Sequence, residues 1–271
     1  MEQVNSTALT QAIAAPIRQE IWQRIAAAER EHDVKVLYAV ESGSRAWGFA
    51  SPNSDYDVRF VYAHKPEWYL SVDLADKRDV IEYPIVDEID INGWDVRKAL
   101  QLFRKSNPAI VEWLQSPLVY GDDGQFAASL QPLLTCGYSL NKGIFHYLNM
   151  AKTNYRGYLK GSEVRLKKYF YVLRPLLAVR WLLSHRSVAP IEFAKLLTML
   201  TEVEVKQEVE KLLAVKMGSD ELQTGPQVQV LNQFIEAELA YYENFTPLAE
   251  DNRVDVSELN GIFRQLITSA V

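Results

Sequence analysis

The chain predicts an α+β fold: a mixed sheet with helices in its first half, then an all-helical second half. Three observations carry that prediction. β-Prone apolar runs (Val34–Ser42, Asp57–Ala63, Asp79–Tyr83, Val86–Ile91) occur only in the N-terminal half. Beyond about residue 126 alternation fades and helical periodicity takes over. Between the two, Pro117, Gly121 and Gly124 cluster with Asp122 and Asp123, a turn-rich boundary. The expected division is 1–125 for a sheet-containing domain and 126–271 for a helical one.

Residues 16–32 read as an amphipathic helix on the spacing of Ile17, Ile21, Ile25 and Ala28. Pro16 suits its first turn, where a missing N–H costs nothing. Val34–Ser42 is the first strand, and Gly43–Phe49 a short helix or turn. Asp57–Ala63 is the second strand, and a short helix is expected near Trp68–Val72. Asp79–Tyr83 and Val86–Ile91 are strands separated by Pro84. Gly93–Lys105 reads as a helix laid on the sheet, and Asn107-Pro108 breaks it before Ala109–Leu114. The second half offers helices at Leu140–Leu159, Ser162–Ser184, Ile191–Leu200, Val203–Met217, Val228–Phe245 and Val256–Ala270.

Composition narrows the function. The 271 residues are 48% hydrophobic and 24% charged, a globular balance. No apolar run reaches the roughly 18–20 residues of a membrane span; the longest, Tyr169–Leu183, is interrupted by Arg174, Pro175 and Arg180. Met1–Gln19 lacks a basic-then-apolar leader. Cys136 is the only cysteine, which excludes an intrachain disulfide and a multi-cysteine zinc site. A cytoplasmic protein without membrane partners is expected. A net charge of −6 argues against nonspecific coating of nucleic acid. Yet nine basic residues and one acid between Lys152 and Arg186 give that segment +8, leaving −14 elsewhere. Such a basic element in an acidic chain suits a local anion, a triphosphate or an RNA end, or else a solvated helix face.

Residues 41–59 carry the chemistry. Ser42-Gly43-Ser44 is a small-residue turn able to bring backbone N–H groups close to phosphate. Asp55 and Asp57 stand two apart at the start of a strand, so both carboxylates project to one face. Two such acids share a site comfortably only with a proton or a cation between them. Magnesium or manganese, which prefer hard oxygen ligands, would serve. A third acid is expected from a neighbouring strand. Glu88 and Asp90 share one face of Val86–Ile91 and Asp87 takes the other; Asp90, between two isoleucines, is favoured. Other chemistries lack their motifs: there is no Gly-x-x-x-x-Gly-Lys-Ser/Thr loop, no Gly-x-Ser-x-Gly elbow, and no zinc spacing among the four histidines.

Gly43-Ser44, Asp55-x-Asp57 and a later strand acid together resemble the DNA polymerase β-like nucleotidyltransferase superfamily. The longer string Glu41-Ser-Gly-Ser-Arg-Ala-Trp-Gly-Phe49 and Ser54-Asp-Tyr-Asp-Val-Arg59, with Arg78–Glu82, Asp90–Lys98, Lys105–Pro108, Glu112–Leu114 and Lys168–Ala178, resembles one bacterial and phage family within it. That family is the RNA-ligase-associated polymerase β-like proteins (RlaP), and the resemblance covers most of residues 35–185. It implies a polymerase β-like palm followed by a helical domain contributing to the nucleotide site. It also implies that Gly43 and Ser44 contact phosphate and that Asp55, Asp57 and Asp90 bind Mg2+ or Mn2+.

Arg45 and Arg59 flank the same site. Arg59 would touch phosphate or pair with one of the acids, and Trp47 would stack on a base or anchor packing. Relatives in the superfamily supply basic and aromatic groups from a helix beyond the sheet. Here Lys168, Tyr171 and Arg174, at i, i+3 and i+6, are the candidates, unless the aromatics are core and the basic side chains surface. The implied reaction is transfer of a nucleoside monophosphate from an NTP to an acceptor hydroxyl. An RNA end is the leading acceptor; a protein or small-molecule acceptor, or a noncatalytic nucleotide sensor, are the alternatives.

Overall fold

Successive strand residues face opposite sides of a sheet, so strand register decides which layer each side chain meets. The computed structural model describes residues 13–218, 224–249 and 252–269. Helix α1 (Ala15–His32) begins with Pro16 in its first turn and stops at Asp33, which adopts the left-handed conformation. Strand β1 (Lys35–Glu41) leads into the one-turn helix α2 (Gly43–Ala46), and β2 (Tyr56–Ala63) returns antiparallel to β1. The chain passes through α3 (Pro66–Tyr69) to the edge strand β3 (Val80–Glu82) and turns into β4 (Ile89–Asp95), parallel to β2. After α4 (Val96–Arg104) and α5 (Pro108–Trp113), β5 (Val119–Asp122) pairs with the free side of β1. The result is a mixed five-stranded sheet of order β3-β4-β2-β1-β5.

Alternation along β2 fixes the orientation of the sheet. Val58, Phe60 and Tyr62 face α1, packing with Ile21, Ile25 and Ala28 in the smaller apolar cluster. Val61 and Ala63 join the larger cluster on the opposite face, with Ala99, Ile110 and Trp113 of α4 and α5 and many helical residues beyond. Asp57 and Arg59 therefore point toward the helices.

The chain continues as α6 (Phe126–Leu130), α7 (Leu133–Gly137), α8 (Leu140–Tyr158), strand β6 (Glu163–Arg165) and α9 (Lys168–His185). Then follow α10 (Phe193–Leu196), α11 (Val203–Gly218), strand β7 (Thr224–Pro226), α12 (Gln229–Tyr241) and α13 (Val256–Ser269). Helix α9 is buried nearly all round, which explains its continuous apolar character despite Pro175 in its interior. No helix among the described residues is long and apolar enough to cross a membrane.

Several details depart from the sequence reading, the first being that β5 forms inside the stretch expected to be a turn-rich boundary. Strand β4 runs on through Gly93 and Trp94 to Asp95, where a helix was expected to have begun. Gly93 lies so close to the Phe60 ring that a Cβ would sit 2.2 Å from it, so the glycine serves strand pairing. Asp95 then caps α4 by accepting from the Arg97 N–H at 2.8 Å. The helical half contains a two-stranded ribbon, β6–β7, so Ser162–Ser184 splits into a strand and a later helix. Finally, the expected strand at Val86–Ile91 contains a tight turn. Asp87 and Glu88 both have positive φ, and Val86 bridges to Ile89 around them.

Candidate active site

The site forms where β1 ends and β2 begins. The Ser42 N–H donates to the Asp57 carbonyl at 2.8 Å, pinning the turn against β2. Gly43 follows at φ +59°, and a Cβ there would stand 1.9 Å from Asp57 Oδ2. Only glycine accepts both that conformation and that approach. Behind the turn Glu41 is fully buried; its Oε1 accepts the Asp57 N–H at 2.9 Å and its Oε2 the Tyr120 hydroxyl. Burial pushes the Glu41 carboxyl up to about 7, although both hydrogen bonds pull the other way. The sequence reading gave Glu41 no role. Its signal was an acid at the end of the apolar first strand, where only a partnered carboxyl is tolerated.

Parallel pairing places Asp57 directly across from Asp90, both on the face toward the helices. Arg59 joins them: its Nη2 donates to Asp57 Oδ1 at 3.0 Å and to Asp90 Oδ2 at 2.7 Å. Its Nη1 donates to the Val58 and Asp90 carbonyls, and Asn92 holds the second Asp90 oxygen at 2.6 Å. Burial raises the Asp57 pKa; Arg59 opposes this, while Asp90 and Asp55 reinforce it. Asp87, by contrast, sits in the tight turn and pairs with Arg24 at 2.9 Å, and Glu88 is its neighbour there.

A cleft of about 350 Å³ opens over Asp55 and Asp57; Asp90, Arg59 and Gly43 are not among the residues that line it. Ser44, Ser51, Asn53, Ser54, Asp55 and Asp57 line its sheet wall. Lys167, Tyr171 and Lys216 line the helical wall, with Phe49 between. Lys216 is only 8% exposed, with Nζ 5.8 Å from the Phe49 ring centre. Burial first, then Lys167 and Arg45, lower its pKa, the mark of an ammonium lacking an anion. Tyr171 packs edge-on against Trp47, and its hydroxyl pKa is raised by burial and by Asp57 and Asp55.

The other expected contacts fall elsewhere. Arg45 does not line the cleft; it lies 3.9 Å over the Tyr56 ring and donates to the Ser54 and Asp55 carbonyls, bracing the loop that presents Asp55. Lys168 also stands outside the lining, between the Tyr158 and Tyr171 rings at 4.2 and 4.6 Å. Arg174 is a correction. It is 2% exposed, donates to Glu112 Oε1 at 2.8 Å and to the Ile191 carbonyl, and lies 4.4 Å from the Trp47 ring centre. Trp47 donates to the other Glu112 oxygen at 3.2 Å. Arg174 and Trp47 thus form a buried packing cluster, and neither reaches the cleft. The basic residues on the helical wall are Lys167 and Lys216, which the sequence reading did not single out.

Among the described residues no group of three His, Cys, Asp or Glu side chains stands preassembled around a metal. Arg59 explains this, since it occupies the space between Asp57 and Asp90 as an internal cation. The donor set still fits magnesium or manganese in kind: hard carboxylate oxygens, one of them raised in pKa first by burial and then by Asp90 and Asp55, beside a glycine that leaves room.

The chain is 43% identical over 256 residues to the uncharacterized protein YcgL of Bacillus subtilis (strain 168), covering 94% of this chain and 96% of that protein. A solved structure, a nucleotidyltransferase-like protein from Exiguobacterium sibiricum 255-15, aligns over 93% of this chain and 89% of its own at 10% identity, with a TM-score of 0.33. Residues 17–265 match the model of RlaP, described as the RNA repair pathway DNA polymerase beta family. With most of its length matched, the chain belongs to the RlaP family of polymerase β-like nucleotidyltransferases.

Proposed function

We propose that the chain transfers a nucleoside monophosphate from an NTP to an acceptor hydroxyl, releasing pyrophosphate, and that the acceptor is an RNA end. One observation carries the reading: Asp55 and Asp57, with Asp90 beside them, face Lys167 and Lys216 across a cleft of about 350 Å³. Acids on one wall and ammonium groups on the other suit a polyphosphate lying between them. Asp55, Asp57 and Asp90 would hold Mg2+ or Mn2+, which when bound neutralises triphosphate oxygens and lowers the pKa of the attacking hydroxyl.

The protein residues supply placement. Ser44 lines the cleft beside Asp57 and is suited to donate to phosphate. Lys216 and Lys167 are suited to the leaving pyrophosphate, whose charge grows as the bond from α-phosphorus to the bridging oxygen breaks. Arg59 holds Asp57 and Asp90 in register until a cation competes for them. Tyr171 and Phe49 give the cleft an apolar side for the sugar or base.

The test is incubation with each labelled NTP, Mg2+ or Mn2+, and either RNA or protein. Label on RNA that is lost in Asp57→Asn supports the proposal. Label appearing only on protein overturns the RNA acceptor. Nucleotide binding without transfer, under every metal and acceptor tried, favours a nucleotide sensor.

A further inference from the structure

The basic groups do not stop at the cleft. Lys167 repels both Lys216 inside it and Lys168 outside it, and Lys168 is in turn repelled by Arg165 on β6. Lys216 and Lys167 line the cleft, and Lys168 at the start of α9 and Arg165 on β6 carry the basic series beyond it, in a chain whose net charge is −6. Aromatic rings accompany the series. Tyr171 is 37% exposed at the cleft wall, Tyr158 is 47% exposed at the end of α8, and the Lys168 ammonium lies between them.

A single NTP accounts for Lys167 and Lys216, which line the cleft, but leaves Lys168, Tyr158 and Arg165 beyond it. An acidic peptide would need the cations and leave the tyrosine faces without purpose. Exposed rings interleaved with cations are what an unpaired nucleic-acid strand uses, its bases stacking on the rings and its phosphates tracking the charge. A duplex keeps its base faces covered and gains nothing from the tyrosines.

We propose that Tyr158, Lys168 and Arg165 form the seat of a single-stranded nucleic-acid acceptor, directing its end over Tyr171 toward Asp57. The proposal rests on the nucleotidyl-transfer reading for what happens at that end. The seat itself consists of residues that the transfer chemistry does not touch.

Binding of a fluorescein-labelled single-stranded oligouridylate of about 10 nucleotides, followed by anisotropy, tests it on the full chain. Tyr158→Ala should weaken binding about 5-fold or more, the lower end for one lost stacking partner. Arg165→Gln should weaken it and flatten its dependence on salt, as loss of a phosphate contact does. Tyr158→Phe should retain binding, because the ring face survives. NTP affinity, measured separately by calorimetry, should be the same in all three variants as in the unaltered chain. The proposal is overturned if the chain does not bind the oligonucleotide, if the variants bind it unchanged, or if polyglutamate or a duplex competes as well as the single strand. If the chain transfers nucleotides to protein while ignoring RNA, the seat fails and the transfer reading stands. If it binds RNA through Tyr158 yet transfers no nucleotide to any acceptor, the transfer reading fails and the seat stands.

Discussion

The two walls of the cleft hold their charges in opposite ways. Asp57 on the sheet wall and Asp90 next to it on β4 are already partnered, since Arg59 and Asn92 satisfy them without any ligand. On the helical wall Lys216 is buried without a hydrogen bond or ion pair among the described residues, and its neighbours Lys167 and Arg45 repel it. One wall is a clasp that an incoming cation must open; on the other, Lys216 awaits an anion. Arg174, one helix layer deeper, is a third case: a basic residue of the helical half whose partner, Glu112, lies within the protein. Substitution should therefore separate the three groups by whether stability or function suffers.

The largest effect belongs to Arg174. Arg174→Ala leaves Glu112 buried with its charge unpaired, a class of change that costs about 3–5 kcal/mol. Thermal and urea unfolding should show that loss. The surviving folded fraction should bind NTP with unchanged affinity, since Arg174 is not in the cleft. Weakened NTP binding at full stability would put Arg174 back among the nucleotide contacts.

Asp57→Asn should behave in the reverse way. Transfer should fall by more than the roughly 100-fold that loss of an outer-shell partner costs. Stability should hold or rise. The folded-state pKa of Asp57 is raised, chiefly by burial, so folding favours its protonated form. Its charged form therefore erodes stability as pH rises from the ordinary aspartate range through the raised value. Asparagine removes that penalty, so the variant's advantage in urea melts should be largest at pH 7 and vanish below about pH 3.8. Activity and stability falling together would show that Asp57 supports the fold, which would undo the contrast with Arg174.

Gly43→Ala tests how tightly the turn is built. Left-handed backbone costs a non-glycine residue about 1–2 kcal/mol, and the added Cβ would also collide with Asp57 Oδ2. Gly48→Ala is the control, because Gly48 also has positive φ but an added Cβ there meets nothing within 4 Å. Both should lower the melting temperature, and only Gly43→Ala should also depress transfer. Equal activity in the two variants would remove the close approach from the argument.

The same contrast explains what the sequence showed. The acid pair was legible in part. Period-two spacing set Asp55 and Asp57 on one side, and both line the cleft. But β2 begins at Tyr56, so the loop braced by Arg45 presents Asp55. Asp90 was harder. Spacing alone left Asp87 and Glu88 open, and only the parallel register with β2 sets Asp90 beside Asp57. The helical cations were poorly legible for a geometric reason. A one-residue change around a helix start turns a side chain by about 100°, and β6 occupies part of the segment where a continuous helix was expected, so Lys168 was favoured where Lys167 lines the cleft. Arg174, six residues beyond Lys168 and so about 120° away from it around the helix, meets an acid 62 positions away, a pairing that no local pattern encodes. Lys216 reaches the cleft only because α11 packs there.

Lys216 offers the finest test of the comparison, because its expected effect is small and its sign is informative. A buried ammonium that lacks an anion destabilises the folded state, and its lowered pKa, caused first by burial, records that cost. Lys216→Gln should therefore leave the melting temperature unchanged or slightly higher. It should weaken NTP binding roughly tenfold, the low end for loss of one charge-assisted hydrogen bond. A nucleoside without phosphates should bind equally to both proteins, which ties the loss to the triphosphate. Added salt should narrow the gap, since an electrostatic contact at a partly open cleft is screened. If Lys216→Gln lowers the melting temperature and spares triphosphate affinity, Lys216 is a structural residue like Arg174. The helical wall would then hold one fewer group for the nucleotide, and Lys167 would have to carry the phosphate end.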